Sequence, residues 1–222
     1  MSKLISTITQ RRAVLFDFDD TLVATTLAHK PVFWNFIKLI ASPPEKALEE
    51  IWGSPMSEML DYLVPNKDKR RLLDTYAAII ELKPPAPLLP GVEDAVRCLS
   101  EKGILLIILT SSSRRLVESD LSRHDLLDYF QLIVSSDEAQ WVKPDPRFID
   151  PVNGLLKEKG LSLSGTLMVG DSVLDLELAR NAGVPFLAVT TGDTRREAFL
   201  KENCHDIIGT MEALALACRG RT

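Results

Sequence analysis

The stretch AVLFDFDDTL, residues 13–22, runs four apolar residues straight into a cluster of carboxylates, Asp17, Asp19 and Asp20. An unbroken apolar run of this length ending in turn chemistry predicts a strand buried on both faces of a parallel sheet. Like charges crowded at its end repel one another, and aspartate is among the residues least often buried. The cluster therefore needs a chemical reason.

C-terminal to this stretch the periodicity changes. From about residue 25 to 83, apolar positions recur at helical spacing: Val32, Phe33, Phe36, Ile37 and Ile40, then Met56, Met59, Leu60 and Leu63, then Leu72, Leu73, Tyr76, Ile79 and Ile80. KPPAPLLPG, residues 83–91, follows, and its prolines favour a stiff, extended boundary segment. Beyond Gly91 helical and strand patterns alternate. VEDAVRCLSEKG leads into ILLIILT; a helix near 113–122 precedes QLIVSS; a helix near 146–159 precedes GTLMVGD; a helix near 174–182 precedes PFLAV; and a last helix lies near 210–218. Such alternation implies a parallel sheet covered on both faces. The expected fold is α/β: a Rossmann-like three-layer core with a parallel sheet, residues 1–22 and 88–222, plus a small all-helical cap inserted after the first strand, residues 23–87.

Composition bounds the function. The chain has 222 residues, 45% of them hydrophobic, enough for one sizeable domain carrying an insertion. With 31 acidic against 26 basic side chains, a net charge of -5 and no long basic block, nucleic acid is not an expected partner. The N-terminal MSKLISTITQRR is too polar for a signal peptide and no stretch approaches a membrane span, so a soluble cytoplasmic protein without a membrane partner is expected. Cys98, Cys204 and Cys218 are odd in number, far apart and without C-x-x-C spacing, which fits unpaired thiols in a reducing compartment. Nothing in the pattern sets a monomer or a dimer.

Ligands of open parallel sheets bind beyond the carboxyl ends of the strands, near the point where strand order reverses. The strand ends here carry Asp17 and Asp19; Thr110, Ser111 and Ser112; Lys143 in WVKPDP; and Asp171 and Asp175 in VGDSVLD. Brought to one crevice, this set suits phosphoryl transfer, which needs anion binding, a divalent metal, an in-line nucleophile and a proton donor. Asp17 on a rigid strand end can be the nucleophile, and Asp19, two residues on, the acid and base on the same side. Asp17, Asp171 and Asp175 offer the hard oxygens of a Mg²⁺ site. Thr110, Ser111 and Lys143 can bind the phosphoryl oxygens. A cation at this point turns repelling carboxylates into ligands.

Each residue also has a plainer reading. Asp or Ser in GDSVLD can cap a helix, as can Thr110 and Ser111; a lysine in a loop is usually solvated. His29 and Lys30 open the cap and suit either substrate contact or an exposed helix start. Trp34, Trp52, Phe33 and Phe36 read as cap core or seam, and His124 and His205 as ordinary surface or packing residues.

At the same residues the chain resembles the haloacid dehalogenase-like hydrolases. DFDDTL is similar to their D-x-D-x-T motif, LTSS to the second, KPDP to the lysine-bearing third, and GDSVLDLELARNAG to the fourth. The resemblance implies a phosphatase with Asp17 as nucleophile, Asp19 as acid/base, and Mg²⁺ held by the Asp17 side chain, the Asp19 carbonyl and Asp171. Asp175 then supports the metal or its waters and Lys143. The helical insert resembles the cap of the phosphoglycolate phosphatase and β-phosphoglucomutase branch, which implies a small phosphorylated metabolite as substrate. Two departures stand out: Asp20 occupies a position where many members have glycine, and WGSPMSEML lacks the arginine that some mutase-like members place after the glycine. A phosphomutase is the alternative within the same chemistry. A phospho-accepting receiver-like module is a poorer match, because such modules are shorter and lack an insert after the first strand.

Overall fold

A computed structural model describes residues 10–44, 46–54 and 56–220. Strand β1 (Ala13–Phe16) is followed by five helices, α1 (Thr25–Ala28), α2 (Lys30–Ile40), α3 (Ala47–Ile51), α4 (Met56–Leu63) and α5 (Lys69–Glu81). The alternating part comprises α6 (Val92–Glu101), β2 (Leu105–Thr110), α7 (Arg114–Arg123), β3 (Phe130–Ser135), α8 (Asp150–Glu158), β4 (Thr166–Gly170), α9 (Val173–Asn181), β5 (Phe186–Val189), α10 (Arg196–Lys201), β6 (Ile207–Ile208) and α11 (Met211–Cys218).

The six strands form one sheet in the order β3-β2-β1-β4-β5-β6, and every pairing is parallel. Side chains alternate across it as strand geometry demands. Val14, Phe16, Leu106, Ile108, Leu167 and Val169 face one helical layer, while Ala13, Leu15, Ile107, Leu109 and Met168 face the other. Both faces are dry, which is why these strands read as continuous apolar runs. The order reverses between β1 and β4, so the carboxyl ends of these two strands flank the crevice.

The helices after β1 gather around a cluster of their own, with Phe33, Ile37, Leu60, Tyr76 and Ile80 at its centre and Leu116 of α7 packed into it from below. Tyr76 meets Phe33 edge-on at 5.2 Å, a favoured aromatic geometry. Arg115 pairs with Glu81 at 2.7 Å, fastening the end of α5 to α7. The two chain crossings beneath this layer run side by side: Val23 bridges Leu88, Ala24 N–H donates to Pro87 O at 2.9 Å and Leu89 N–H to Leu22 O at 3.0 Å.

Three features differ from expectation. The helix expected near 146–159 is a 3₁₀ turn over Pro146–Ile149 followed by α8. Helix α10 and the two-residue β6 arise from a segment too short to show a period. Cys98 and Cys218, expected as separate thiols, are joined in a disulfide with Cα atoms 6.3 Å apart, because α6 and α11 pack together; Cys204 is free and buried. A separation of 120 residues in sequence says nothing about distance once the last helix folds back. Among the described residues no helix is long and apolar enough to cross a membrane.

Candidate active site

Asp17 follows β1 directly, its N–H bonded to Val169 O of β4 at 2.9 Å, so its backbone is held as firmly as the sheet. Asp171 follows β4. Asp175 sits in the first turn of α9, where Ser172 and Asp175 form a reciprocal capping box: Asp175 N–H donates to Ser172 Oγ and Ser172 N–H to Asp175 Oδ2, both at 3.2 Å. Lys143 arrives from the loop after β3. That loop is fixed by Asp145, which accepts from Arg147 N–H at 2.9 Å, and by Asn181, whose side-chain amide donates to Pro144 O at 3.0 Å.

The four converge. Lys143 Nζ donates to Asp17 Oδ1 at 2.6 Å and to Asp175 Oδ1 at 2.7 Å, all three side chains being buried. Asp17, Asp171 and Asp175 each present a carboxylate oxygen within 4.8 Å of the others. Three carboxylates against one ammonium leave two negative charges when all are ionised, which is the charge of a divalent cation with opposite sign, and the donors are hard oxygens suited to Mg²⁺. Without such an ion, protons balance the charge. Burial, chiefly, pushes Asp17 up to about 8, against the attraction of Lys143 and with the repulsion of Asp175 and Asp19. Burial, reinforced by Asp17 and Asp175, also holds Asp171 well above the carboxylate range. For Lys143, burial works downward but Asp17 and Asp175 outweigh it and raise the ammonium above its ordinary value.

Asp19 stands apart from this trio. Its carboxylate accepts from Thr110 Oγ1 at 3.1 Å and Ser112 Oγ at 3.0 Å. Thr110 is fully buried at the end of β2, while Ser111 and Ser112 line the pocket. Asp20 has φ of 52°, the left-handed region that glycine enters most easily. It earns the position with its side chain, which accepts from both Thr26 N–H and Thr26 Oγ1.

Several residues here had no definite role in the sequence reading. Thr21, the threonine of the DFDDTL stretch, donates to Asp171 Oδ1 at 3.2 Å. Gly192, after β5, lies so close to Asp171 that a Cβ there would overlap the carboxylate. Asp193 and Thr194 complete the rim. His29 is buried rather than exposed, lines the pocket, and places Nε2 3.4 Å from the fully buried Asp120. Lys30, by contrast, turns to Glu49 at 2.7 Å. Phe33 and Phe36 are cap core as expected, and Trp52 reaches the pocket with its indole N–H on Thr26 Oγ1 at 3.0 Å. His124 is occupied with the Ala86 carbonyl at 2.7 Å.

The haloacid dehalogenase-like hydrolase family model matches residues 14–189, most of the chain. The chain belongs to this family. It is 29% identical over 191 residues to the probable phosphatase IndB of Dickeya dadantii, covering 81% of each chain. It is 30% identical over 194 residues to a phosphoglycolate phosphatase of Caulobacter vibrioides, covering 82% of this chain and 80% of the relative. Its fold matches the crystal structure of a predicted phosphoglycolate phosphatase from Haemophilus somnus with a TM-score of 0.78 at 20% identity, over 92% of this chain and 96% of that one. By family and relatives the protein is thus a haloacid dehalogenase-like phosphatase.

Proposed function

We propose that this family member hydrolyses a small phosphorylated metabolite through a phosphoryl-aspartate on Asp17, with Mg²⁺ as cofactor. The observation that carries the reading is the buried arrangement in which Lys143 holds Asp17 and Asp175 while Asp171 completes a trio of carboxylates.

Each residue then has a definite task. Lys143 fixes the orientation of the Asp17 carboxylate and offers positive charge to the phosphoryl oxygens, to which the hydroxyl of Ser111 in the pocket lining adds a hydrogen-bond donor. Asp17 attacks phosphorus as the bond to the leaving oxygen breaks, and Asp19, entering as the acid, delivers a proton to that oxygen. Water next attacks the phosphoryl-aspartate, Asp19 takes up the proton the water loses, and inorganic phosphate leaves with Asp17 restored. Thr110 and Ser112 hold Asp19 in place throughout. Asp17, Asp171 and the Asp19 carbonyl would hold the cation, with Asp175 steadying Lys143. A divalent cation there neutralises the trio and the phosphoryl oxygens, so that two anions can meet. The helical cap, residues 23–87, covers the pocket and excludes water from the departing group.

Release of inorganic phosphate from p-nitrophenyl phosphate with Mg²⁺ tests the reading. The expected result is turnover that Asp17→Asn lowers by at least about a thousandfold while the circular dichroism spectrum is unchanged. Turnover surviving Asp17→Asn removes Asp17 as nucleophile. Conversion of a sugar monophosphate to its isomer without net phosphate release would point instead to a phosphomutase.

A further inference from the structure

The apolar part of the pocket lining has a chemistry of its own. Beside the aspartates, the cavity of about 280 Å³ is lined by Trp52, Met56, Met59, Tyr76, Leu116 and Leu174. Resting on the phosphatase reading above, we infer that the part of the substrate esterified to the phosphate, the leaving alcohol, is uncharged and apolar: the natural substrates are phosphate monoesters of hydrophobic hydroxy compounds rather than of hydroxy acids.

The distribution of charge leads there. Among the described lining residues the basic side chains are Lys143 and His29. Lys143 already serves two carboxylates at 2.6 and 2.7 Å and faces the transferring phosphoryl group. Any positive charge on His29 is answered by Asp120, 3.4 Å from its Nε2. Lys30, outside the lining, lies with Nζ 5.7 Å from the centre of the Trp52 ring and pairs with Glu49. The rim adds Asp20 and Asp193, which are negative. A leaving group with its own carboxylate would therefore give up hydration without meeting a free cation, and would do so in the field of several aspartates. An alkyl or aryl group faces no such cost and covers apolar surface that otherwise contacts water. Met56 and Met59 have flexible, polarizable side chains that adapt to more than one shape. The absence of an arginine in the residues after Gly53 belongs to the same pattern: Ser54 and Met56 stand in this part of the wall.

Three esters of primary alcohols separate the chemistries at comparable leaving-group reactivity: benzyl phosphate, phosphoglycolate and phosphocholine, with p-nitrophenyl phosphate as the general reporter. The expected kcat/KM for benzyl phosphate exceeds that for each of the other two at least tenfold. Equal or better turnover of phosphoglycolate overturns the inference, as does equal or better turnover of phosphocholine, which would assign the aromatic wall and acidic rim to a cationic head. These outcomes leave the phosphatase reading intact. No release from any of the four, the reporter included, overturns that reading and this inference with it. Met56→Arg and, from the core side, the part-exposed Leu174→Arg each place a cation on the wall. Each is expected to lower the ratio of benzyl phosphate to phosphoglycolate turnover at least tenfold, and an unchanged ratio in both would refute the wall's role.

Discussion

Replacing Lys143 by methionine keeps most of the stem's bulk and removes the charge that two carboxylates share. The side chains of Lys143, Asp17 and Asp175 are 4%, 7% and 1% exposed, so water cannot replace the lost partner. Leaving buried carboxylates ionised and unpaired costs about 3–5 kcal/mol, a large part of the ~5–15 kcal/mol that holds a domain together. Protonation avoids that cost, so the effect depends on pH. In the metal-free protein Asp17 is raised from 3.8 to about 8; the folded state therefore binds a proton that the unfolded state has released, and stability falls as pH rises from about 4 to 8. Without Lys143 the Asp17 carboxyl rises further and its share of the decline continues beyond pH 8, where the Asp17 contribution of the parent has levelled off. The destabilisation by Lys143→Met is accordingly ~1 kcal/mol at pH 5 and ~3 kcal/mol or more at pH 9. Urea unfolding followed by tryptophan fluorescence, in chelator, reads this as a drop in midpoint of ~1–2 M at pH 9 and well under 1 M at pH 5, for a slope of ~2 kcal/mol/M. A loss equal at the two pH values, or greater at pH 5, would show that the lysine contributes packing alone and would refute the electrostatic account.

Removing divalent metal with EDTA is expected to stop phosphate release, and added Mg²⁺ to restore it. Saturating Mg²⁺ should also stabilise the fold, by ~2.7 kcal/mol at a hundredfold excess over its dissociation constant. That gain should be larger at pH 8 than at pH 5, because at low pH the ion must displace protons from Asp17 and Asp171; thermal unfolding with a pH-independent gain would contradict the assignment. Gly192→Ala pushes its new methyl into the Asp171 carboxylate and is expected to raise the Mg²⁺ concentration for half-maximal activity about tenfold, since misplacing a ligand typically costs ~10–100-fold in metal affinity. Unchanged Mg²⁺ activation in that variant would detach Asp171 from the metal.

The core was legible because parallel strands buried on both faces leave long apolar runs, and β2 is the plainest of them: ILLIILT tolerates no other reading. β6, two residues paired with Ala188 and Val189 of β5, exists only because a sheet edge is there to receive it. Helix α3, five residues, is likewise held by tertiary contact more than by its own period. At the site, Asp17, Lys143, Asp171 and Asp175 were readable from residue type at strand ends, where convergence follows from topology. Thr21 stood in the D-x-D-x-T motif with no role of its own and Gly192 carried no signal, since the parts of both depend on distances to Asp171 across the fold. His29 was ambiguous for the same reason: only the approach of α7 supplies Asp120. The pairing of Cys98 with Cys218 required the packing of two helices at opposite ends of the alternating segment.

The side-by-side crossings at Val23 and Leu88 have a mechanical consequence. Two tethers stitched together by backbone hydrogen bonds behave as a single pivot, so the layer above them has rotation as its soft degree of freedom while sliding is resisted. Lengthening one tether by a residue while leaving its neighbour alone would skew the axis and misalign the whole arc at once, without altering any side chain that touches substrate.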